Sequence, residues 1–200
     1  MDKVWAIILA AGASTRMKRQ KLLLPYNGKT IVESVIQNIK PVLKNNIVVV
    51  LGSHCEEIRK QIGNLSIRFC VNENYRNGML SSVICGFRAL PEDAKAAMVF
   101  LGDQPHIPFK VTQKIFENWK NSGNEILIPT FKGKRGHPVL IGIKYKNDIE
   151  KLDPNKGLRR LMVKYEHEVM EVECGIPEVL RDIDTPEEYK SEISKLKNQK

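Results

Sequence analysis

The sequence predicts an α/β fold with three layers, in which helices cover both faces of a mostly parallel, Rossmann-like sheet. Short apolar runs rich in branched residues alternate along the chain with segments of helical period. Regular exchange of strand and helix favours a parallel sheet that is buried on both faces. The predicted strands are residues 4–9, 47–51, 67–71, 97–101 and 126–128.

Three helix starts are indicated by capping patterns. Thr30 with Glu33 three residues later forms a capping box, and Ser53 with Glu56 forms another. A third lies in residues 185–188, where proline occupies the first helical position. These patterns predict helices that begin directly after each cap.

Residues 131–145, FKGKRGHPVLIGIKY, form a basic stretch in which the alternation weakens. Its two halves are predicted to pair as a small β-hairpin lid over the end of the sheet. No repeat, linker or change of composition divides the chain, so we expect one domain over residues 1–200. Residues 190–200 are expected to be a frayed basic tail.

The composition is that of an ordinary globular protein, with 42% hydrophobic and 28% charged residues among 200. No run of 18 apolar residues is present, so no membrane partner is expected. The apolar residues 4–13 are interpreted as a buried strand and not as a signal peptide, because bases crowd residues 16–21. The four cysteines show neither CxxC pairs nor zinc-site spacing, which favours free thiols and a cytoplasmic location.

The formal net charge of +9 favours an anionic partner. The bases are spread along the chain and form no arginine-rich stripe interleaved with aromatic residues. The charge therefore indicates attraction for phosphates, and no nucleic-acid partner is expected.

The first predicted strand leads into a turn that is suited to a triphosphate. Ligands of open α/β sheets bind beyond the carboxyl ends of the strands. Arg16 and Lys21 follow the turn and can neutralise phosphate charge, while small residues let backbone N–H groups approach closely. The residues of the turn are Leu9, Ala10, Ala11 and Gly12.

Two other glycine-loop motifs fail on spacing. A dinucleotide-binding fingerprint needs glycine at the positions of Ser14 and Met17. Residues 28–30, Gly-Lys-Thr, match the end of a Walker A loop, but Leu23 stands where the earlier glycine is required. Thr30 is therefore interpreted as a helix cap.

Asp103, in the string LGDQP, directly follows the fourth predicted strand. Mg²⁺ binds through one or two carboxylates together with substrate phosphates. A carboxylate at the carboxyl end of a strand, near the phosphate-binding turn, therefore predicts a metal ligand.

These segments together resemble the molybdenum cofactor cytidylyltransferases, a branch of the nucleotide-diphospho-sugar transferase superfamily. LAAGxSxRM is shared across that superfamily, whereas GDQP with RGHPV is the narrower signature. The matching strings follow the family order over residues 6–189; one departure is Lys18, where many relatives carry glycine. The strings are LAAGASTRM with KLLLP, NENYRNGMLSSVICG, LGDQP, GKRGHPV and DIDTPEEY.

The resemblance implies transfer of CMP from CTP to the terminal phosphate of molybdopterin, with release of pyrophosphate. It implies that Arg16 and Lys21 hold the β and γ phosphates, and that Asp103 holds Mg²⁺. Asp182 or Asp184 is the expected second metal carboxylate, and the resemblance favours Asp184. A molybdenum hydroxylase is the expected client of the product.

The resemblance also implies where the remaining substrate groups lie. Arg135 and His137 are expected to lie over the acceptor, and Ala11 is the residue associated with CTP, since guanylyl-transferring relatives carry glycine there. The residues expected near the base and ribose are Asn74, Gly78, Ser81 and Ser82.

Three alternatives stay open at this point. A nucleotidyltransferase acting on a sugar or polyol phosphate would share Asp103 and the first loop, which begins with the turn at residues 9–12 and leads to Lys21. An accessory protein that delivers cofactor to molybdenum hydroxylases without turnover would not need a complete triphosphate and metal set. A nucleic-acid-binding module would show a steep salt dependence of duplex affinity.

Overall fold

The computed structural model describes residues 3–17, 19–154 and 156–197. The strands in these ranges are β1 (Val4–Ala10), β2 (Pro25–Tyr26), β3 (Lys29–Thr30), β4 (Ile47–Leu51), β5 (Arg68–Val71), β6 (Ala96–Leu101), β7 (Ile126–Phe131), β8 (Lys134–Arg135), β9 (Val139–Gly142) and β10 (Val169–Glu173). The α-helices are α1 (Ile31–Leu43), α2 (Cys55–Ile62), α3 (Met79–Arg88), α4 (Phe109–Ser122), α5 (Lys146–Glu150), α6 (Arg159–Lys164) and α7 (Pro186–Lys197). Short 3-10 helices occupy Thr15–Met17, Lys21–Leu23, Tyr75–Asn77, Ile143–Tyr145, Glu166–Glu168 and Pro177–Leu180.

The main sheet has the strand order β10-β7-β9-β6-β1-β4-β5, and β8 pairs with β7 at its side. The β1·β4, β1·β6, β4·β5 and β7·β10 pairs are parallel, whereas β9 runs antiparallel to both β6 and β7. β1 therefore lies inside the sheet, between β6 and β4, with its carboxyl end beside theirs.

Two apolar cores separate the sheet from the helices, because successive side chains of a strand point to opposite faces. On β1, Ile8 points into one core and Ile7 into the other, and both are fully buried. Helices α1, α2, α4 and α7 cover the first face, and α3, α5 and α6 cover the second. The predicted three-layer α/β/α architecture with a mostly parallel sheet is confirmed.

All five predicted strands are present with small shifts at their ends. Residues 47–51 match β4 at both ends, and the first strand extends by one residue to Ala10. The strand predicted for 97–101 begins one residue earlier, and that for 67–71 begins one residue later, at Arg68. The strand predicted for 126–128 continues to Phe131.

Two of the three predicted capping boxes are confirmed. Thr30 N–H donates to Glu33 Oε2 at 2.8 Å, while Glu33 N–H donates to Thr30 Oγ1 at 3.4 Å. In residues 185–188 the same reciprocal pair joins the threonine and the last glutamate, at 2.9 and 3.2 Å. The Ser53 box is wrong, because α2 starts at Cys55 after His54 in a left-handed conformation with φ of 57°. The Ser53 N–H instead donates to the carbonyl of Ala11 at 3.0 Å.

Residues 131–145 pair as a hairpin only over their first part. β7 and β8 are antiparallel around the turn at Lys132 and Gly133. The string VLIG becomes β9, which is buried at every position and lies between β6 and β7. Four consecutive apolar residues are stabilised more by a central place in the sheet than by a half-exposed lid.

The segment expected to be a frayed tail is mostly helical. Residues 190–197 complete α7, because Ile193 and Leu196 pack on the first core. Residues 198–200 lie outside the described part, as does Lys18.

The cysteines all lie within the described residues and form no disulfide. In the part of the chain that the structure describes, none of the helices has the length and apolar composition needed to cross a bilayer.

We expect Gly86→Ala to destabilise the protein, because α3 lies directly against β1 and β4 at this glycine. A Cβ at position 86 would stand 2.4 Å from Ile7 Cγ2 and 3.2 Å from Val50 Cγ2. Alanine gains about 0.5–1 kcal/mol of helix propensity, but overpacking a filled core costs about 1–3 kcal/mol. Denaturant unfolding should therefore give a net loss of roughly 1–2 kcal/mol in the free energy of unfolding.

Lys110→Ala, at an exposed position of α4, is the control, and its free energy of unfolding should stay within about 0.5 kcal/mol of wild type. A Gly86→Ala variant at least as stable as the wild type would mean that Ile7 can move aside.

Candidate active site

Three loops meet at the carboxyl ends of β1, β4 and β6. The Gly102 N–H donates to Leu9 O at 3.0 Å, and the Ser53 N–H donates to Ala11 O at 3.0 Å. The first loop is thereby fixed to the loops that follow β4 and β6. A cleft of about 320 Å³ opens there, as expected for ligand sites of open α/β sheets. It is lined by Leu9, Ala11, Gly12, Ser14, Arg16, Lys21, Leu22, Tyr75, Gly78, Met79, Ser82, Leu101, Asp103, Asp182 and Asp184.

Gly102 places Asp103 in this cleft. A Cβ at Gly102 would stand 2.8 Å from the carbonyl oxygen of Leu9, so a larger residue would push the two loops apart. The Asp103 side chain is 16% exposed, and its Oδ1 is buried without a hydrogen-bond partner in the described part of the chain. A buried oxygen of this kind is unfavourable unless a bound group satisfies it.

The first loop is held by two polar side chains that our sequence analysis did not select. Ser14 Oγ donates to Gln20 Oε1 at 2.9 Å, and the Lys21 N–H donates to Ser14 Oγ at 3.2 Å. Gln20, only 6% exposed, also accepts from the Leu22 N–H at 3.2 Å and so caps the short helix that carries Lys21. The signal for this cap in the sequence was the polar Gln20, two positions before the apolar run 22–24.

Asp182 and Asp184 reach the cleft from an extended segment just before α7. Residues two apart on an extended chain share one side. The intervening Ile183 is fully buried in the first core, and its N–H donates to Asp103 O at 3.2 Å. Carboxylate oxygens of Asp103, Asp182 and Asp184 all lie within 4.8 Å of one another. Both aspartates that the sequence analysis left open therefore accompany Asp103.

Two cations face these three carboxylates. Lys21 Nζ lies 2.5 Å from Asp103 Oδ2 and 2.6 Å from Asp184 Oδ1. Arg16 Nη2 lies 2.6 Å from Asp184 Oδ2. Three negative charges against two positive charges leave the cluster net negative when all five groups are ionised, which favours a further cation.

The pKa values follow from this arrangement. Burial would lower the pKa of Lys21, but attraction and hydrogen bonds from Asp103 and Asp184 outweigh it and raise that pKa. Burial would raise the pKa of Asp184, but Lys21 and Arg16 outweigh it and lower that pKa. Burial, together with repulsion from Asp103 and Asp184, raises the pKa of Asp182. Lys21 thus stays protonated and Asp184 ionised near neutral pH.

The donor set fits a hard divalent cation. Mg²⁺ and Mn²⁺ prefer oxygen ligands, and the site offers three carboxylates. The buried Asp103 Oδ1 is an acceptor that a metal would satisfy. Asp103, Asp182 and Asp184 are therefore the residues that can hold such an ion.

The segment after β5 divides between the cleft and a neighbouring hollow. Gly78 and Ser82 line the cleft, whereas Asn74 and Ser81 line a hollow of about 600 Å³ beside it. Asn72 Nδ2 donates to Ser81 Oγ at 2.8 Å and to Ser82 Oγ at 3.0 Å, which fixes both hydroxyls. Tyr75 and Met79 also line the cleft.

The two residues expected over the acceptor lie in different places. Arg135 does not line the cleft; its Nε donates to Glu171 on β10 at 2.7 Å, in an exposed pair. The His137 N–H donates to Val179 O at 2.9 Å. Burial lowers the pKa of the His137 imidazole, while the nearby charge of Asp103 acts in the opposite direction. Neither His137 nor Arg135 therefore lines the cleft; the charge of Asp103 reaches His137, whereas Arg135 is paired with Glu171.

Comparison with known proteins finds relatives that match nearly the whole of this chain. The molybdenum cofactor cytidylyltransferase of Escherichia coli (strain K12) is 27% identical over 190 residues, which cover 94% of this chain and 95% of that protein. A nucleotidyl transferase from Methanothermobacter thermautotroptrophicus superposes with a TM-score of 0.85 at 22% identity, covering 100% of both chains. Rv0371C of Mycobacterium tuberculosis H37Rv, in complex with manganese, gives a TM-score of 0.79 at 21% identity, covering 96% of this chain and 98% of that chain.

The family model described as MobA-like NTP transferase domain matches residues 6–169. That range contains the first loop, the segment after β5, and Asp103 with the strand before it. The resemblance indicated by the motifs is therefore confirmed, and the chain belongs to the MobA-like NTP transferase family of nucleotidyltransferases.

Proposed function

We propose that this protein is a Mg²⁺-dependent cytidylyltransferase that transfers CMP from CTP to the terminal phosphate of molybdopterin and releases pyrophosphate. The observation that carries the proposal is the cleft in which Arg16 and Lys21 face three clustered carboxylates. The similarity to a cytidylyltransferase over nearly the whole of both chains supports this choice of donor and acceptor.

The reaction joins two anions. A phosphate oxygen of the acceptor attacks the α-phosphorus of CTP, the bond to the bridging oxygen breaks, and pyrophosphate leaves with its electron pair. Catalysis of such a step consists mainly of positioning and of neutralising charge. Lys21 and Arg16 bind the β and γ phosphates in this proposal, and backbone N–H groups of the first loop add hydrogen bonds.

Asp103, with Asp184 and Asp182, would hold Mg²⁺, which when bound supplies positive charge to the phosphates. A bound ion would also neutralise the carboxylates that Lys21 and Arg16 contact in this structure. Both cations would then be free to bind the triphosphate.

Base and ribose are assigned to the side of the cleft formed by Gly78, Ser82 and Ala11. Asn74 and Ser81 would act from the adjoining hollow. On the acceptor side, neither His137 nor Arg135 lines the cleft, but the charge of Asp103 reaches His137, whereas Arg135 would have to leave Glu171 to reach a substrate. His137 is therefore the better candidate of the two for acceptor binding.

The test is incubation of the purified protein with Mg²⁺, molybdopterin and equal CTP and GTP, followed by mass determination of the products. We expect molybdopterin cytosine dinucleotide and pyrophosphate. Parallel reactions with sugar and polyol phosphates address the second acceptor class, for which the donor half of the cleft would be identical. Absence of nucleotidyl transfer with every acceptor would contradict the proposal and favour an accessory role in cofactor delivery.

Asp103→Asn should reduce metal-dependent transfer by at least about 100-fold, on the order of 3 kcal/mol, because an amide cannot neutralise the metal. Steady-state rates at saturating CTP measure the effect. Asp93→Asn is the matched control, since Asp93 is 55% exposed and pairs with Lys3 at the amino end of β1. An Asp103→Asn enzyme with near-normal turnover would remove this residue from the site.

Lys21→Met should separate metal binding from catalysis. Removing the ammonium takes a competing cation from Asp103 and Asp184, so Mn²⁺ affinity without nucleotide should equal or exceed that of wild type. CTP affinity and transfer should both fall, because a triphosphate contact is lost. Calorimetric titrations with Mn²⁺ and with CTP check this, with Lys190→Met on the exposed side of α7 as control. Unchanged CTP affinity and rate would contradict the role given to the first loop.

Ala11→Gly should relax the choice of nucleotide only in part. Ala11 is 5% exposed and packs at Gly52, where a Cβ would stand 2.8 Å from the Ala11 methyl. One methyl group discriminates by about 1–3 kcal/mol, or roughly 10–200-fold, so polar contacts to the base must share the selection. The competition assay should show CTP preference in wild type and more GTP use in the variant. A mainly guanylylated product from wild type would contradict the choice of CTP while leaving nucleotidyl transfer in place.

A further inference from the structure

A carboxylate outside the cleft, Glu192 on α7, is buried, with its side chain only 9% exposed. A buried carboxylate is costly unless cations or hydrogen bonds compensate it. Glu192 is compensated by two cations of different chain segments, Arg181 and Lys195. The His106 imidazole also lies close to it, but burial lowers the pKa of His106, so it is a neutral neighbour and not a third cation.

Two of these groups belong to the segments that carry the clustered aspartates. The Arg181 guanidinium forms an ion pair with Glu192 Oε1, and Arg181 directly precedes Asp182. His106 Nδ1 lies 3.9 Å from Glu192 Oε2, and His106 follows Asp103 by three residues. Lys195 Nζ contacts the same carboxylate at 2.8 Å from one turn farther along α7.

The two segments are also joined to each other beside Glu192. His106 Nε2 lies 2.9 Å from the carbonyl oxygen of Arg181, within hydrogen-bond distance. Two residues farther on, the Ile183 N–H donates to Asp103 O at 3.2 Å. At the far end of the segment, the Asp184 N–H donates to Glu188 Oε2 at 2.8 Å. The segment of Asp182 and Asp184 is thus attached to α7 at both ends and to the Asp103 loop in between.

This attachment opposes a specific force. Three carboxylates within 4.8 Å of one another repel, and the repulsion pushes the 182–184 segment away from Asp103. Lys21 and Arg16 reduce this repulsion, but in the proposed reaction both turn to the triphosphate. The Arg181–Glu192 pair stays where it is, because neither residue lines the cleft.

We propose that Glu192 is a positioning residue for the metal site: it holds Arg181, whose carbonyl oxygen His106 contacts, and so keeps the 182–184 segment against the Asp103 loop. The inference rests on the proposed function, since it assumes that the three carboxylates hold the metal. A buried ion pair is weak evidence for stability, because apolar side chains of similar volume often stabilise as well. The geometry of this pair, which ties the 182–184 segment to α7 beside the contact between His106 and the Arg181 carbonyl, explains it better than a gain in stability does. Groups that orient metal ligands in this way typically change metal affinity or activity by about 10–100-fold when altered.

The experiment measures Mn²⁺ binding to the whole protein by electron paramagnetic resonance, without nucleotide, at temperatures where circular dichroism shows every variant folded. We expect Glu192→Gln to weaken Mn²⁺ binding by about 10–100-fold. Glu187→Gln is the matched control, because it removes the same charge from the same helix at an exposed position. The control should bind Mn²⁺ as wild type does, which excludes loss of long-range charge as the cause.

A double-mutant cycle with Arg181→Gln distinguishes positioning from unrelated damage. If the two residues act as one anchor, Arg181→Gln, Glu192→Gln and the double variant should lose similar amounts of Mn²⁺ affinity, so the losses are not additive. Wild-type affinity in Glu192→Gln, or fully additive losses, would overturn the inference. Failure of the wild type itself to bind Mn²⁺ would contradict the metal site of the proposed function. Wild-type metal binding without CMP transfer would contradict only the proposed reaction.

Discussion

The arrangement of the candidate active site depends on one unfavourable contact, the gathering of three carboxylates within 4.8 Å. Like charges at this separation repel unless cations lie among them. Lys21 supplies one cation between Asp103 and Asp184, and Arg16 supplies a second at the outer edge. In the proposed function a divalent ion would complete the neutralisation, so the repulsion that makes this cluster costly would favour binding of a small, highly charged cation.

The sheet makes this gathering possible by bringing distant parts of the chain to one edge. Parallel pairing of β1 with β4 and β6 places three loops side by side. Small residues then let these loops approach, since a Cβ at Gly102 would meet the carbonyl oxygen of Leu9. The fourth contributor, the 182–184 segment, belongs to no strand, and it relies on Ile183 in the core and on contacts to α7.

Features that depend on neighbouring residues could be predicted from the sequence, and features that depend on distant residues could not. The strands, the Thr30 and Thr185 caps and the place of Asp103 follow from local period, capping chemistry and a strand end. The capping box predicted at Ser53 is wrong, because the Ser53 N–H donates to the carbonyl of Ala11, more than forty positions away in the sequence. The insertion of β9 between β6 and β7 likewise depends on which distant edges are unpaired. Sequence motifs indicated the charged residues of the site. Gln20 and Glu192 were not indicated by any motif, because they act through contacts that form only in the folded chain.

The separation of the aspartates along the chain has a consequence for biosynthesis. During translation Lys21 and Asp103 leave the ribosome long before Asp182 and Asp184, which are synthesised next to the last helix of the described chain. A nascent chain that has already paired β1, β4 and β6 holds only one of the three carboxylates and cannot retain a divalent ion with the full set. If the three carboxylates hold a metal as proposed, the complete site exists only in chains whose synthesis has passed Asp184.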